Sequence, residues 1–139
     1  MTDTARVDDL IQFYETLTPA TLATIEHFYA EDAYFKDPFN EVTSLREIRA
    51  IFVKMFRTLQ APRFTVTERI VGDDLVALTW HFDFEWRGSP FQVHGATVLR
   101  FGSDGRVTHH RDYWDVAEEL YEKLPVVGTL MRWLKRRAG

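Results

Sequence analysis

The chain contains no cysteine. That absence excludes disulfides, thiolate metal ligands and a cysteine nucleophile, and it fits a reducing, cytoplasmic compartment. Long apolar runs are also missing: no stretch approaches the ~20 residues a membrane-spanning helix needs. The opening residues, MTDTARVDDL, are polar and acidic, without the basic-then-apolar order of a secretory leader. Neither a glycine-rich phosphate loop nor a Gly-x-Ser-x-Gly nucleophile turn occurs. The histidines, His27, His81, His94, His109 and His110, show no ligand-type spacing, so no metal site is expected. Positive charge is scarce except at one end. The net charge is −4, yet Arg132, Lys135, Arg136 and Arg137 in the last eight residues supply +4, leaving −8 on the remainder. An acidic body excludes a general nucleic-acid surface.

Aromatic residues are what the chain has in excess: eleven Phe, five Tyr and four Trp among 139 residues. Large rings either fill a core or line a cavity. The length suits one domain, 1–139, with a core at 8–115 and a helical extension at 116–139.

Periodicity orders the chain. Leu10, Phe13, Tyr14 and Leu17 fall on one face of a first helix started by Asp8 or Asp9. Thr18-Pro19 predicts a stop and restart, with Leu22, Ile25, Phe28 and Tyr29 as the stripe of a second helix. Ala33 to Asp37 reads as a short strand stopped by Pro38. Ser44 and Glu47 form a capping box ahead of a third helix carrying Ile48, Ile51, Phe52, Met55, Phe56 and Leu59. The period then changes to 2. Strands are predicted at 64–71, 75–87, from Phe91 to Phe101, and 106–114, joined by Gly72-Asp73-Asp74, Arg87-Gly88-Ser89 and Gly102-Ser103-Asp104-Gly105. In the second of these, Val76, Leu78, Trp80, Phe82, Phe84 and Trp86 share one face and His81, Asp83, Glu85 and Arg87 the other. In the last, His110, Asp112 and Trp114 form one set and His109, Arg111 and Tyr113 the other. A helix over Val116–Leu124 is predicted to break at Pro125. A second, from about Gly128, sets Val127, Leu130, Met131 and Leu134 against Arg132, Lys135 and Arg136.

Three helices followed by antiparallel strands is an α+β pattern. Helices packed on the concave face of a strongly curved sheet leave a conical cavity. Phe52 and Met55 from the third helix, and Trp80, Phe82, Phe84, Thr97, Leu99 and Trp114 from the strands, are the expected wall. The row Trp80, Phe82, Phe84, Trp86 reads first as core, in a conical fold partly also as ligand wall; the alternative is a meeting with a second subunit.

At AEDAYFKDPFNE, followed by the capped helix SLREIRAIF, the chain resembles the NTF2-like superfamily, which includes ketosteroid isomerases and SnoaL-type polyketide cyclases. The likeness spans roughly residues 8–115 and implies a cone-shaped roll. On it, Asp37 takes the isomerases' catalytic-base position and Tyr14, in LIQFYETL, the oxyanion-hole tyrosine. Thr97, in HGATVLRF, stands where the isomerases have a second acidic donor. The same alignment turns His110, Asp112 and Trp114 inward, with His110 and Asp112 as an acid–base pair or a polar clamp. The alternative for Asp37 is an Asp-Pro turn, and for Tyr14 a core ring with its hydroxyl at the rim. The resemblance implies a cofactor-independent proton-transfer enzyme for a hydrophobic, carbonyl-bearing or cyclic small molecule, and a homodimer through the sheet. A non-catalytic binder of such a molecule and a protein-interaction module remain open. An interaction module predicts a filled cone and an exposed apolar patch on the sheet or the C-terminal helix. The basic C-terminal helix, with Trp133, is also a candidate for contact with an anionic membrane.

Overall fold

The computed structural model describes residues 2–123 and 125–138. The first helix, α1, is Thr4–Glu15, and Asp3 caps it by accepting from the backbone N–H of Ala5. This cap lies several residues ahead of the expected Asp8 or Asp9. The helix buries Val7, Leu10, Ile11, Phe13 and Tyr14.

The expected second helix is only a 3₁₀ segment, Thr21–His27. Local hydroxyls explain the difference. The N–H of Thr18 donates to Thr21 Oγ1 at 2.8 Å, and Thr24 Oγ1 donates to the Thr21 carbonyl at 2.7 Å. Such bonds compete with the α-helical ladder. Tyr29, expected on that helix, instead opens the strand β1, Tyr29–Lys36. There it pairs in parallel with Val107, a partner far away in sequence.

β2, Glu41–Val42, folds back on β1. α2, Leu45–Thr58, starts at the predicted capping box: Ser44 Oγ accepts from the Glu47 N–H at 3.2 Å and donates to Glu47 Oε2 at 2.9 Å. Four long strands follow: β3 Gln60–Val71, β4 Val76–Trp86, β5 Ser89–Phe101 and β6 Val107–Tyr113. The sheet order is β2-β1-β6-β5-β4-β3, antiparallel except for β1 beside β6. This curled, unclosed six-stranded sheet with helices is the expected α+β, NTF2-like architecture.

The buried side chains form two clusters at opposite ends of β4 and β5. One joins α1 and α2 to Tyr29, Phe35, Val76, Leu78, Leu99 and Val107. The other holds Trp80, Phe84 and Val93, with Phe82, Trp86, Phe91 and Trp114 packed against it. Between them the helices do not fill the curve of the sheet.

The C-terminal part is more broken than its periodicity predicts. Only Val116–Glu119 forms a helix, α3, capped by Asp115, before a 3₁₀ turn at Tyr121–Lys123. Leu124, the expected end of that helix, lies outside the described residues. α4, Pro125–Ala138, begins at the proline, which suits a first helical position. Its apolar side is turned outward, with Val127, Leu130, Trp133 and Leu134 all exposed. Among the described residues, no helix is long and apolar enough to cross a membrane.

One glycine is dictated by packing. A Cβ on Gly95 would stand 2.5 Å from Cζ2 of Trp80. Gly95 faces Trp80 across the β4–β5 ladder, and the bare backbone lets the indole lie flat over it. Gly95→Ala is expected to cost about 1–3 kcal/mol as overpacking, read as a lower urea midpoint at unchanged slope; an unshifted midpoint contradicts this packing.

Candidate functional site

The space inside the curve of the sheet is a cavity of about 510 Å³, walled mostly by apolar side chains. Of the residues expected to form the site, Asp37, Tyr14, His110, Asp112, Trp80, Phe82, Phe84, Thr97, Trp114, Phe52 and Met55 all border it. Leu99 does not. It is fully buried among the core residues, at the end of β5 filled by helix packing. Period 2 places Leu99 on the inward face correctly but carries no information on how far along the strand the cavity reaches. The expected wall also lacked Asn40, Lys54, Trp86 and Leu120, which contribute to it. Leu120 comes from the turn after α3, a segment tied to the sheet by Lys123 Nζ, which donates to the Gln92 carbonyl at 2.7 Å. Phe39 packs edge-on against Trp114, ring centres 5.6 Å apart.

One side of this apolar wall carries a continuous chain of hydrogen bonds. Trp80 Nε1–H donates to Thr97 Oγ1 at 2.7 Å, and Thr97 Oγ1 donates to Asp112 Oδ1 at 2.5 Å. His110 Nε2 lies 2.7 Å from the same Oδ1. His110 Nδ1 lies 2.7 Å from the Tyr29 hydroxyl, which lies 2.5 Å from the hydroxyl of Tyr14, and the Tyr14 hydroxyl itself lies 3.4 Å from Nδ1. Each member is placed by its element. Thr97 sits opposite Asp112 and Leu99 opposite His110 in the β5–β6 register, while Phe35 of β1 lies beside His110. Tyr14 reaches in from the buried face of α1.

The environment of these groups sets their chemistry. His110 is 4 % exposed and Thr97 3 %. Burial raises the pKa of the Tyr14 hydroxyl well above the ordinary phenol range, and that of Tyr29 likewise. Both phenols are held neutral, because a phenolate loses its hydration there. Asp112 spends Oδ1 on two donors, and Oδ2 has no hydrogen-bond partner among the described residues. A carboxyl oxygen without a protein partner, on a residue of an apolar wall, is free to meet a ligand.

Asp37 is used differently. Its Oδ1 accepts from the backbone N–H of Phe39 at 2.8 Å, from that of Asn40 at 2.6 Å and from Asn40 Nδ2 at 3.0 Å. Oδ2 lies 3.2 Å from the same amide nitrogen. The Asp37 N–H donates to the Asn40 carbonyl at 2.9 Å, closing the turn. These bonds are those of the Asp-Pro turn considered above. Asp37 therefore shares the hollow with Tyr14 while serving the backbone at its rim. Tyr29, the hinge of the polar chain, was assigned to a helix stripe, and only the long-range β1–β6 pairing places it beside His110. Among the described residues, no group of acidic and histidine side chains has the arrangement of a metal site.

Residues 10–110 match the family model of the SnoaL-like domain. No curated protein matches the chain. Solved structures do. An NTF2-like protein of unknown function from Burkholderia pseudomallei is 17% identical over 84% of this chain and 95% of its own, with a TM-score of 0.73. A protein named as a SnoaL-like polyketide cyclase, from Shewanella putrefaciens, is 19% identical over 85% and 97%, at 0.70. An LEH-like epoxide hydrolase from M. tuberculosis is 15% identical over 83% and 84%, at 0.68. Likeness at these identities establishes a shared fold, and the reaction has to be argued from the site.

Thr97 joins the indole to the carboxylate, and removing its hydroxyl orphans Trp80 Nε1–H. Thr97→Val is expected to destabilise the fold by about 1–3 kcal/mol despite its equal size. Urea unfolding checks this, and a variant as stable as the wild type would show that the bridge carries no energy.

Proposed function

The chain belongs to the SnoaL-like domain family, and on that premise we propose that it is a cofactor-independent acid–base enzyme acting on a hydrophobic, carbonyl-bearing or cyclic small molecule. One observation carries the reading: Asp112 borders an apolar cavity large enough for a ring system, with Oδ1 fixed by Thr97 and His110 and Oδ2 without a hydrogen-bond partner among the described residues. Aromatic walls bind the body of the ligand, and burial of that surface provides the affinity. Asp112 then removes a proton from carbon next to a carbonyl, and Tyr14 meets the ligand oxygen on which charge develops. Proton transfer of this kind requires neither a redox group nor a metal. The names of two structural neighbours, polyketide cyclase and epoxide hydrolase, are compatible with such a site.

This reading moves the base from Asp37 to Asp112. The carboxylate of Asp37 is bonded through both oxygens to the rim turn, whereas Asp112 keeps one oxygen for the ligand. Of the two features an interaction module would have, α4 shows the exposed apolar side, but the cone is open rather than filled, and the open cone favours a small-molecule ligand.

The test is exchange of the α-protons of a steroid-like enone into deuterated buffer, followed by NMR. Asp112→Asn is expected to slow exchange on the order of 10²–10⁴-fold while the enone still quenches tryptophan fluorescence. Wild-type exchange in Asp112→Asn, with loss of exchange in Asp37→Asn, would return the base to the rim.

A further inference from the structure

Tyr29 is wholly buried, and the acid–base reading leaves it unused. Counting donors assigns it a role. The indole N–H of Trp80 only donates, so Thr97 accepts there and gives its own proton to Asp112. A carboxylate only accepts, so His110 Nε2 carries a proton. The rest depends on the other ring nitrogen. With Nδ1 bare, Tyr29 donates to it, Tyr14 donates to Tyr29, and the Tyr14 oxygen offers the cavity a lone pair. With Nδ1 protonated, each of these bonds reverses, and the Tyr14 hydrogen points into the cavity.

We propose that Tyr14, Tyr29 and His110 form a reversible proton wire, through which the buried imidazole takes a proton from a ligand oxygen at the cavity wall and returns it. The proposal rests on the functional reading above and narrows the ligand to a ring compound with an ionisable O–H: a phenol or an enol. The ligand O–H bond breaks as a new Tyr14 O–H forms. The proton Tyr14 held passes to Tyr29, and the proton Tyr29 held passes to His110 Nδ1. The ligand oxygen is left with the negative charge, and the imidazolium lies 2.7 Å from the Asp112 carboxylate. The new Tyr14 O–H points back at the oxyanion and stabilises it. Burial makes a phenolate on either tyrosine costly, so the three protons shift together. Tyr29 is then a positioning residue that never touches the ligand.

Naphthol is a suitable probe, because its neutral and ionised forms absorb at different wavelengths. The full chain labelled with ¹⁵N at histidine is examined free and with naphthol bound. In the free protein His110 is expected to show a bare Nδ1 and a protonated Nε2. In the complex both nitrogens should be protonated and the naphthol ionised. Tyr29→Phe keeps the ring and leaves Tyr14 only its long 3.4 Å approach to His110 Nδ1, a poor path for a proton. Its bound naphthol should show an ionised-to-neutral ratio lower by at least about tenfold, one pKa unit. Tyr14→Phe, which leaves the Tyr29–His110 bond in place, should do the same and covers the case in which Tyr29→Phe folds poorly. An unchanged ratio in both variants, a bare Nδ1 in the wild-type complex, or no binding of naphthol would overturn the proposal. Loss of the Asp112-dependent exchange with these signals intact would instead count against the enzyme reading alone.

Discussion

Two donors converge on one oxygen of Asp112, and much of the molecule is arranged so that they can. Thr97 and His110 reach Oδ1 from neighbouring strands, at 2.5 and 2.7 Å. The β5–β6 register that sets Thr97 opposite Asp112 is therefore a chemical constraint as well as a packing one. A slip by one residue would turn His110 and Asp112 to the other face of the sheet. Trp80 and Gly95 belong to the same constraint. The indole reaches Thr97 only because it lies across a residue without a side chain. Polar networks of this kind must be fully satisfied to be tolerated in a low-dielectric setting. Here each buried member has a partner, and Asp112, which borders the cavity, keeps one oxygen without a hydrogen-bond partner among the described residues.

The cavity exists because sheet and helices differ in reach. α1 and the 3₁₀ segment pack tightly against one end of the strands, where Leu10, Ile25, Tyr29, Leu78 and Leu99 are almost wholly buried. Towards the other end α2 presents Phe52 and Met55 and the sheet curls away. The rings there pack on one another: Phe64 stacks on Phe82 with centres 4.3 Å apart, and Phe84 on Phe91 at 5.4 Å. Phe64, Phe82 and Phe84 line the cavity. Chain beyond the sheet, through Trp114 and Leu120, supplies the remaining side.

Much of this was legible in the order of residues. The alternation from Val76 to Trp86 identified β4 and its inward face, Ser44 and Glu47 located the start of α2, and His110, Asp112 and Trp114 fell together on the cavity side of β6. What could not be read has a common cause. Tyr29 joins His110 through a parallel pairing across about eighty residues, and no local period encodes that. Helical spacing of Leu22, Ile25, Phe28 and Tyr29 pointed elsewhere. Leu99 was assigned the right face and the wrong depth. Asp37 was named for its position, but the hydrogen bonds that occupy its carboxylate depend on the path of the backbone through Phe39 and Asn40.

The central claim is that a fully directed hydrogen-bond chain leaves one carboxylate oxygen bare inside an open apolar cavity. Neutron diffraction from deuterated crystals locates the protons and tests it directly. The account predicts deuterium on Thr97 Oγ1 and on His110 Nε2, both aimed at Asp112 Oδ1, with Oδ2 facing the cavity unbonded to protein. A Thr97 hydroxyl aimed away from Asp112, or an Oδ2 engaged by another side chain in a collapsed cavity, would contradict it.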